Sequence, residues 1–289
     1  MTPNNDARPK VVALMPAWNA ESFIAPVLDS WAKQTYPNLQ VLISDDASTD
    51  RTAEICADFA ARHANFELLR QPRRLGWVGN TNALLRQAGG AYFLFAAHDD
   101  SPMATYVERL LDLLESNPQA VLSFSDLQWR LSTDSSASPN LYVYRDLEGV
   151  SNRLERGLRA ARRAGIPPSY LVTVAYRGLF RASAARQVGG LHRHMAGEYG
   201  ADWPWLLHLS LLGEFVRIPE ALIEKVYRPT SLSMRWKGTA WQHIGVAGAC
   251  LRVTVNADLT FAERFQIQRE LVKYCLKRLL RQTPIWWRR

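Results

Sequence analysis

The first 127 residues alternate between short apolar runs and segments whose apolar residues recur at helical spacing. The apolar runs have the length and composition of buried strands, and they begin at Lys10, Leu39, Phe66, Ala91 and Ala120. Strands that alternate with helices form a parallel sheet with helices on both faces. The sequence therefore predicts an α/β fold with a Rossmann-like, mostly parallel central sheet.

Aspartates follow several of these predicted strands, as Asp45 and Asp46, Asp99 and Asp100, and Asp126. The carboxyl ends of parallel strands meet at one edge of a sheet, and ligands of α/β proteins bind there. Two adjacent carboxylates repel each other, so such a pair needs a compensating cation or exposure for use. We therefore expect a ligand site at this edge.

The turn after the first predicted strand, residues 16–22, contains no glycine, and the chain has no G-x-x-x-x-G-K-[ST] motif. A dinucleotide site or a P-loop is therefore not expected, because both hold phosphate on a glycine-rich turn. A diphosphate can also be held by a divalent cation that carboxylates coordinate. Asp99 and Asp100 suit that role, so the predicted cofactor is Mg²⁺ or Mn²⁺.

The second half of the chain is less regular, and its end is basic. An arginine-rich helix is predicted over residues 151–165, a strand near residues 170–176, and a helix that begins near Asp202. Residues 261–289 contain eight Lys or Arg and two Glu, while the whole chain has a net charge of +8. We predict a helix from Phe261 to about Leu280, with Phe261, Phe265, Val272, Cys275 and Leu279 near one face.

Bulk properties limit where the protein works. No run of eighteen apolar residues is present, and residues 1–10 lack the apolar region of a secretory signal. The three cysteines, Cys56, Cys250 and Cys275, lie far apart, which favours a reducing compartment over a disulfide scaffold. We expect a cytoplasmic protein that is peripheral at the inner face of the cell membrane.

Three blocks of the chain, in this order, resemble the family 2 glycosyltransferases, which have the GT-A fold. "LMPAWN" and "ISDDASTD" are similar to the family's strand endings P-x-[YW]-N and D-D-x-S-x-D. "AYFLFAAHDD" resembles the strand that leads to its D-x-D-like metal motif, and "GEYGADWPW" resembles the block with the catalytic carboxylate. The similarity covers about residues 10–235. It implies a nucleotide-sugar-binding half at about 10–127, an acceptor-binding half at about 128–240, and a helical extension over 241–289.

The resemblance implies a role for each matching residue. Asp202 would be the general base, and Asp100 would bind the metal ion that bridges the donor diphosphate. Asp45 or Asp46 would read the base, and Asp99 would lie near the ribose. The substrate-binding residues implied in this way are Pro16, Ala17, Asn19, Glu21, Asp45, Asp46, Asn82, Asp99, Glu198, Trp203 and Arg235.

Two positions depart from the family pattern. The metal motif reads His-Asp-Asp, so His98 stands where many relatives have an acid. The family often has an arginine before the asparagine at Asn82, and here that residue is Thr81. This change removes an expected diphosphate contact, so we expect another donor, or another cation such as Arg74 or Arg235.

Simpler roles exist for some of these residues. By itself, Asp202 reads as a helix N-cap, because aspartate is a favoured cap and Pro204 would sit in the first turn; the family block reverses this preference. Glu198 is the reserve candidate for the base. Asp126 is as well explained by a surface loop as by a sugar contact. The tryptophans near Asp202 either stack on sugar or pack in the core.

The resemblance implies an inverting, metal-dependent hexosyltransferase of surface-polysaccharide biosynthesis. The donor would be a nucleotide-sugar, with UDP the commoner nucleotide, and the acceptor a hydroxyl of a glycan or of a lipid-linked sugar. One alternative is a sugar-1-phosphate nucleotidyltransferase, which usually has a glycine-rich loop that this chain lacks. Another is a non-catalytic sugar-nucleotide or glycan-binding protein, which would not need the acidic residues at every expected place.

The basic C-terminal helix has two interpretations. It can be a solvated helix without a partner, or it can lie on an anionic membrane. On a membrane, basic residues would meet lipid and two aromatic residues would reach the headgroups, namely Lys273, Lys277, Arg278 and Arg281, and Trp286 and Trp287. We favour the membrane surface. Nucleic-acid binding is not expected, because no recognised module accompanies the charge.

Overall fold

The structure is a computed structural model that describes residues 8–133, 138–163 and 170–282. Within these ranges the chain forms a mixed α/β fold around one sheet. The strands are β1 (Val11–Ala17), β2 (Leu39–Asp45), β3 (Phe66–Arg70), β4 (Tyr92–Phe95), β5 (Asp100–Pro102), β6 (Ala120–Leu131), β7 (Asn140–Tyr142), β8 (Leu179–Arg181) and β9 (Glu214–Tyr227).

Helices flank the sheet and make up the C-terminal part. They are α1 (Ile24–Ala32), α2 (Thr52–Arg62), α3 (Gly76–Gln87), α4 (Tyr106–Glu115), α5 (Arg153–Arg163), α6 (Tyr170–Val174), α7 (Ala182–Val188), α8 (Asp202–Leu212), α9 (Leu232–Arg235), α10 (Ala240–Asn256) and α11 (Phe261–Gln282). Their burial follows the sequence pattern: α4 buries Val107, Leu110 and Leu114, which recur every three or four residues on one face.

The N-terminal half of the sheet is parallel, as predicted. β1 pairs in parallel with β2 and β4, and β2 pairs in parallel with β3. Val11, Leu14 and Met15 of β1 are fully buried, because helices cover both faces of this part of the sheet. The expected α/β fold with a helix-flanked central sheet is therefore confirmed.

The remainder of the sheet is mixed, and here some expectations were wrong. The sheet order is β3-β2-β1-β4-β8-β6-β9-β5, with β7 paired to β6. β8 lies between β4 and β6 and is antiparallel to both. The strand predicted near residues 170–176 is in fact helix α6 followed by a short 3₁₀ turn, and the strand lies at Leu179–Arg181. A three-residue strand is too short to show a period in the sequence.

Ser101 and Pro102 lie in a strand rather than at the start of a helix. They belong to β5, which pairs antiparallel with β9 and places Asp100 opposite Lys225. β5 is the last strand of the sheet order, where a proline is tolerated because its missing N–H faces no partner strand. The following helix, α4, begins at Tyr106.

The C-terminal helices pack on the body of the protein. In α11, Ile267 and Leu271 are completely buried, and Arg153 of α5 forms a salt bridge of 2.8 Å with Glu263. Of the residues predicted near one face, Phe261 is 83% exposed and Phe265 57%, so the buried face of α11 is a different one. Among the described helices, none is both long enough and apolar enough to span a membrane. Trp286 and Trp287 lie outside the described residues.

Candidate active site

A cavity of about 750 Å³ opens beside the carboxyl ends of β1 and β4. Its walls come from the loops after these strands, the segment before α3, the start of α8, the end of β9, and helices α9, α10 and α11. The predicted site residues that line it are Pro16, Ala17, Asn19, Asp46, Asp99, Glu198, Asp202, Trp203 and Arg235. Glu21, Asp45, Asn82 and Asp100 do not belong to its lining.

Asn19 joins the loops that follow β1 and β2 at the carboxyl ends of these strands. Its side-chain oxygen accepts a hydrogen bond of 2.9 Å from the Thr49 N–H, and its own N–H donates to the Ser48 hydroxyl at 3.0 Å. Asn19 has a φ of +46°, a left-handed conformation that asparagine adopts more readily than most residues. The loops after β1 and β2 are thereby held together at one side of the cavity.

Asp46 fixes the segment before α3. Its carboxylate accepts the N–H of Leu75 at 2.6 Å and the N–H of Gly76 at 2.9 Å. Burial raises the pKa of Asp46 above its ordinary value, and these two hydrogen bonds oppose the rise. On the same side, the Arg74 guanidinium lies 3.3 Å from the centre of the Trp18 ring, a cation–π contact at the cavity wall.

Three of the residues outside the lining make contacts within the protein. Glu21 accepts the Arg51 N–H at 2.8 Å, and Asp45 accepts the Ser48 N–H at 3.1 Å. The Asn82 amide exchanges two hydrogen bonds of 2.8 Å with the backbone of Leu191. These contacts support the neighbouring loops, and the structure gives no contact between these three side chains and the cavity.

Cationic side chains of the protein balance the negative charges of the adjacent residues Asp99 and Asp100. Asp100 is 1% exposed; its carboxylate pairs with Arg177 and lies 3.4 Å from the Lys225 ammonium. Asp99 lines the cavity, 3.5 Å from the same ammonium. Burial acts to raise the pKa of Asp99, but the charges of Lys225 and its other cationic neighbours outweigh burial and lower this pKa to about 2.

This arrangement limits how a metal ion could bind. Within the described ranges, no group of three or more His, Cys, Asp or Glu side chains could hold a metal ion. Asp99 faces the cavity, whereas Asp100 is turned to Arg177 and Lys225. Mg²⁺ is often bound through one or two carboxylates plus substrate phosphates. The site therefore fits a cation that arrives with a diphosphate and meets Asp99, and it does not fit a cation held by protein ligands alone.

Asp202 is the first residue of α8, and the N-cap position is Ala201. The Oδ1 atom of Asp202 is buried and has no hydrogen-bond partner in the described part of the chain. Burial raises the pKa of Asp202 to about 6, although hydrogen bonds from backbone N–H groups and the charge of Arg177 act to lower it. A cavity carboxylate with such a pKa is suited to accept a proton near neutral pH.

Glu198 has a supporting position instead. Its carboxylate accepts the N–H groups of Trp77 at 3.1 Å and Val78 at 3.2 Å, at the start of α3. It also forms a salt bridge of 2.8 Å with Arg193. An acidic group at a helix N-terminus is stabilised by the unpaired N–H groups there. Glu198 thus anchors α3 to the segment that precedes Asp202.

The wall beyond Asp202 is aromatic, and the sequence indicated its tryptophans but not the tyrosines and the histidine that pack with them. The Tyr199 ring lies 5.5 Å from the rings of Trp236 and His243, and the Trp203 ring lies 5.0 Å from that of Tyr274. The Tyr274 hydroxyl is 2.7 Å from Nδ1 of His243. These side chains come from the segment before α8, from α8, from the end of α9, and from α10 and α11, so no local pattern could bring them together.

Two proteins named as glycosyltransferases have sequences similar to this chain. A relative from Bacillus subtilis, the uncharacterized glycosyltransferase EpsJ, is 24% identical over 258 residues, which cover 84% of this chain and 72% of EpsJ. The UDP-Glc:alpha-D-GlcNAc-diphosphoundecaprenol beta-1,3-glucosyltransferase WfgD of Escherichia coli is 32% identical over 107 residues, which cover 37% of this chain and 42% of WfgD.

Solved structures share the fold. TarS residues 1–349 of S. aureus, in complex with UDP-GlcNAc, aligns with a TM-score of 0.69 and 16% identity over 93% of this chain and 73% of that chain. The mannosyltransferase PcManGT from Pyrobaculum calidifontis, in complex with GDP-Man and Mn²⁺, aligns with a TM-score of 0.56 and 15% identity over 97% of this chain and 76% of that chain. The sequence model of glycosyl transferase family 2 matches residues 12–188, which contain β1 to β4 and the acidic pair. This chain therefore belongs to glycosyl transferase family 2.

Proposed function

We propose that this glycosyltransferase uses Asp202 as the general base of an inverting transfer from a nucleotide-sugar. One observation carries the proposal: a carboxylate with a pKa raised to about 6 lines the same cavity as Asp46 and Asp99 at the strand ends. The loops at the strand ends would hold the nucleotide, because ligands of α/β sheets bind there. Asp202 would then face the reacting sugar.

In the proposed step, an acceptor hydroxyl oxygen attacks the anomeric carbon on the face opposite the nucleotide. The new C–O bond forms as the bond to the diphosphate oxygen breaks, and the hydroxyl proton passes to the Asp202 carboxylate. The nucleoside diphosphate leaves with the bonding electrons. One displacement at the anomeric carbon inverts its configuration.

The leaving diphosphate needs positive charge beside it. We propose that Asp99, rather than Asp100, meets Mg²⁺ or Mn²⁺ with the diphosphate, because Asp100 is buried against Arg177 and Lys225. The metal would supply Lewis-acid stabilisation of the leaving group. Arg74 and Arg235 line the same cavity and are candidates for direct diphosphate contacts.

The names of the similar proteins suggest donor and acceptor classes. TarS was solved with UDP-GlcNAc, and WfgD is named for UDP-Glc and for a GlcNAc-diphosphoundecaprenol acceptor. PcManGT was solved with GDP-Man and Mn²⁺. By analogy we propose a UDP-sugar donor, with GDP as the second possibility, and a glycan or lipid-linked sugar acceptor in surface-polysaccharide assembly.

The test is donor binding followed by transfer. Thermal-shift titration with UDP-, GDP- and dTDP-sugars, with and without Mn²⁺, should show stabilisation by one nucleotide class. With that donor, Asp202→Asn should bind the sugar nucleotide as the wild type does but transfer about 10²–10⁴-fold more slowly. A fully active Asp202→Asn enzyme would rule out the assigned base, and the absence of any donor shift would rule out the function.

We also infer that α11 rests on an anionic membrane surface. Lys273 and Lys277 are exposed, and they flank an exposed apolar stripe. The stripe residues recur at spacings of four and seven and so share one helix face, with exposures of 83% for Phe261, 57% for Phe265, 46% for Val272 and 54% for Leu276. An apolar face bordered by lysines suits binding to anionic headgroups.

Co-sedimentation with phosphatidylglycerol vesicles tests this inference. Truncation at Asp258 is unsuitable, because it would remove the buried Ile267 and Leu271 from the core. The double variant Phe265→Ser, Leu276→Ser should bind about tenfold less to the vesicles, since it loses apolar area on the contact face. Leu141→Ser, at a 56% exposed leucine of β7, is the matched control and should bind as the wild type does. Equal binding of all these proteins would refute the inference.

A further inference from the structure

A charged residue continues the buried stripe of α11. Ile267 and Leu271 are fully buried, and Tyr274 is 7% exposed. Arg278 follows four residues after Tyr274, so it projects from the same helix face. An apolar side chain would be expected at this position if the stripe served only packing.

Arg278 is half-buried and extends into the cavity. It lines the cavity together with Tyr274 and His243, and its guanidinium carbon lies 5.8 Å from the centre of the Tyr274 ring. Its Nη2 atom is buried and has no hydrogen-bond partner among the residues that the structure covers. A buried donor without a partner is costly, which suggests a ligand that accepts its hydrogen bonds.

Two other cations, one on α11 and one beside the acidic pair, form ion pairs, unlike Arg278 among the described residues. Lys273 pairs with Glu270 at 3.0 Å, and Arg177 pairs with Asp100. Within the described ranges, no ion pair includes Arg278. Its positive charge lies near His243. Burial is the main cause that lowers the pKa of His243, and the charge of Arg278 lowers it further. In the described part of the chain, the guanidinium therefore meets the hydroxyl and ring of Tyr274 but no carboxylate.

Its position relative to Asp202 indicates which substrate would meet it. Trp203, next to Asp202 in the chain, contacts the Tyr274 ring, over which Arg278 lies. Burial raises the pKa of Tyr199, and the charges of Arg278 and Asp202 also act on it, so both groups lie near its hydroxyl. Arg278 thus belongs to the aromatic wall beyond the base, which α10 and α11 build outside the family-matched residues 12–188.

We propose that Arg278 binds a phosphate group of the acceptor. A guanidinium binds phosphate through paired, charge-assisted hydrogen bonds, and it is the side chain best shaped for this. The acceptor sugar would lie against Tyr199 and Trp236, with its hydroxyl at Asp202. The phosphate belongs either to a lipid diphosphate carrier or to a glycan phosphate. This assignment rests on the proposed transferase function, and it deepens that function by naming the acceptor class.

Calorimetric titration of the full chain tests the proposal, with UDP present in excess so that the donor site is filled. The probes are inorganic pyrophosphate, farnesyl diphosphate and farnesol. Arg278→Gln should weaken both diphosphate probes about tenfold or more and leave farnesol unchanged. Arg269→Gln, at an exposed arginine on the same helix, removes the same charge and should change affinity less than about twofold.

The outcomes separate the possibilities. Tighter binding of farnesyl diphosphate than of pyrophosphate identifies a lipid carrier, and equal binding identifies phosphate of another source; both support the site. Unchanged affinity for both diphosphates in Arg278→Gln overturns it, as does a wild type that binds UDP-sugar but neither probe. If Arg278→Gln fails to fold, Arg278→Lys is measured instead. An unchanged affinity of that variant for both diphosphates would also overturn the site. A wild type that does not bind UDP-sugar would instead refute the proposed transferase function.

Discussion

At the scale of single residues, the acidic pair at the end of β4 is balanced inside the protein. Asp99 and Asp100 share Lys225, and Arg177 completes the charge balance. Burying such a group of charges costs solvation, so it fixes positions more than it stabilises the fold. Asp100 therefore lies behind the cavity wall, and Asp99 is the carboxylate of the pair that faces the cavity.

Asp202 should make stability depend on pH. Its pKa in the folded state, about 6, lies above the ordinary aspartate value of about 4, so the folded protein holds this proton more tightly than the unfolded chain does. Its contribution to stability is therefore present below about pH 4 and is lost as the pH rises towards about 6. Asp202→Asn should be more stable than wild type by about 1–3 kcal/mol at about pH 7.5 and nearly equal at about pH 4. Urea unfolding at both pH values measures this, and a difference that does not vary with pH would contradict it.

At the scale of elements, α11 has two apolar faces with different surroundings. The inner face, with Ile267, Leu271 and Tyr274, packs on the body and ends in the cavity. Close approach to α5 is possible because residue 157 is glycine: a Cβ there would lie 2.7 Å from the Ile267 side chain and 2.8 Å from that of Leu211. The position of α11 in the cavity wall thus depends on the close contact between Gly157 of α5 and Ile267 of α11.

Gly157→Val should displace α11. We expect a loss of about 1–3 kcal/mol of stability from overpacking, together with a raised KM for the acceptor and an unchanged affinity for the donor nucleotide. Gly248→Ala in α10 is the control, because a Cβ at Gly248 meets nothing within 4 Å. That variant should be neutral or gain about 0.5–1 kcal/mol. Denaturant unfolding and acceptor-dependence kinetics would show the difference, and equal behaviour of the two variants would contradict the proposed packing role.

At the scale of the whole molecule, local patterns predicted the part of the fold that is locally determined. The strands and loops that carry Asp46, Asp99 and Asn19 follow from apolar runs, turn residues and the family resemblance, and the structure places these side chains in one cavity. Asp202 was also found from sequence and lies in the same cavity. These residues belong to short motifs whose spacing is visible in one stretch of chain.

What was not predicted depends on pairing between distant segments. Lys225 meets the acidic pair only because β5 pairs with β9, and Arg177 reaches Asp100 across 77 positions of the chain. The expected metal ligand, Asp100, was chosen without knowledge of these cations. Arg278 was likewise assigned to lipid, because helical periodicity gives an apolar face but does not say which of two faces is covered by the body.

The cavity is built from several stretches of chain, of which the strand-end loops and the C-terminal helices lie far apart in the sequence. Its strand-end loops lie within residues 12–188, which the family shares, whereas α10 and α11 enter from residues 240–282. On the proposed function, we expect substitutions in α10 and α11 to alter which acceptor is glycosylated without disturbing the loops proposed to hold the sugar nucleotide. A chimaera that carries the C-terminal helices of a related enzyme is then expected to keep its donor and exchange its acceptor.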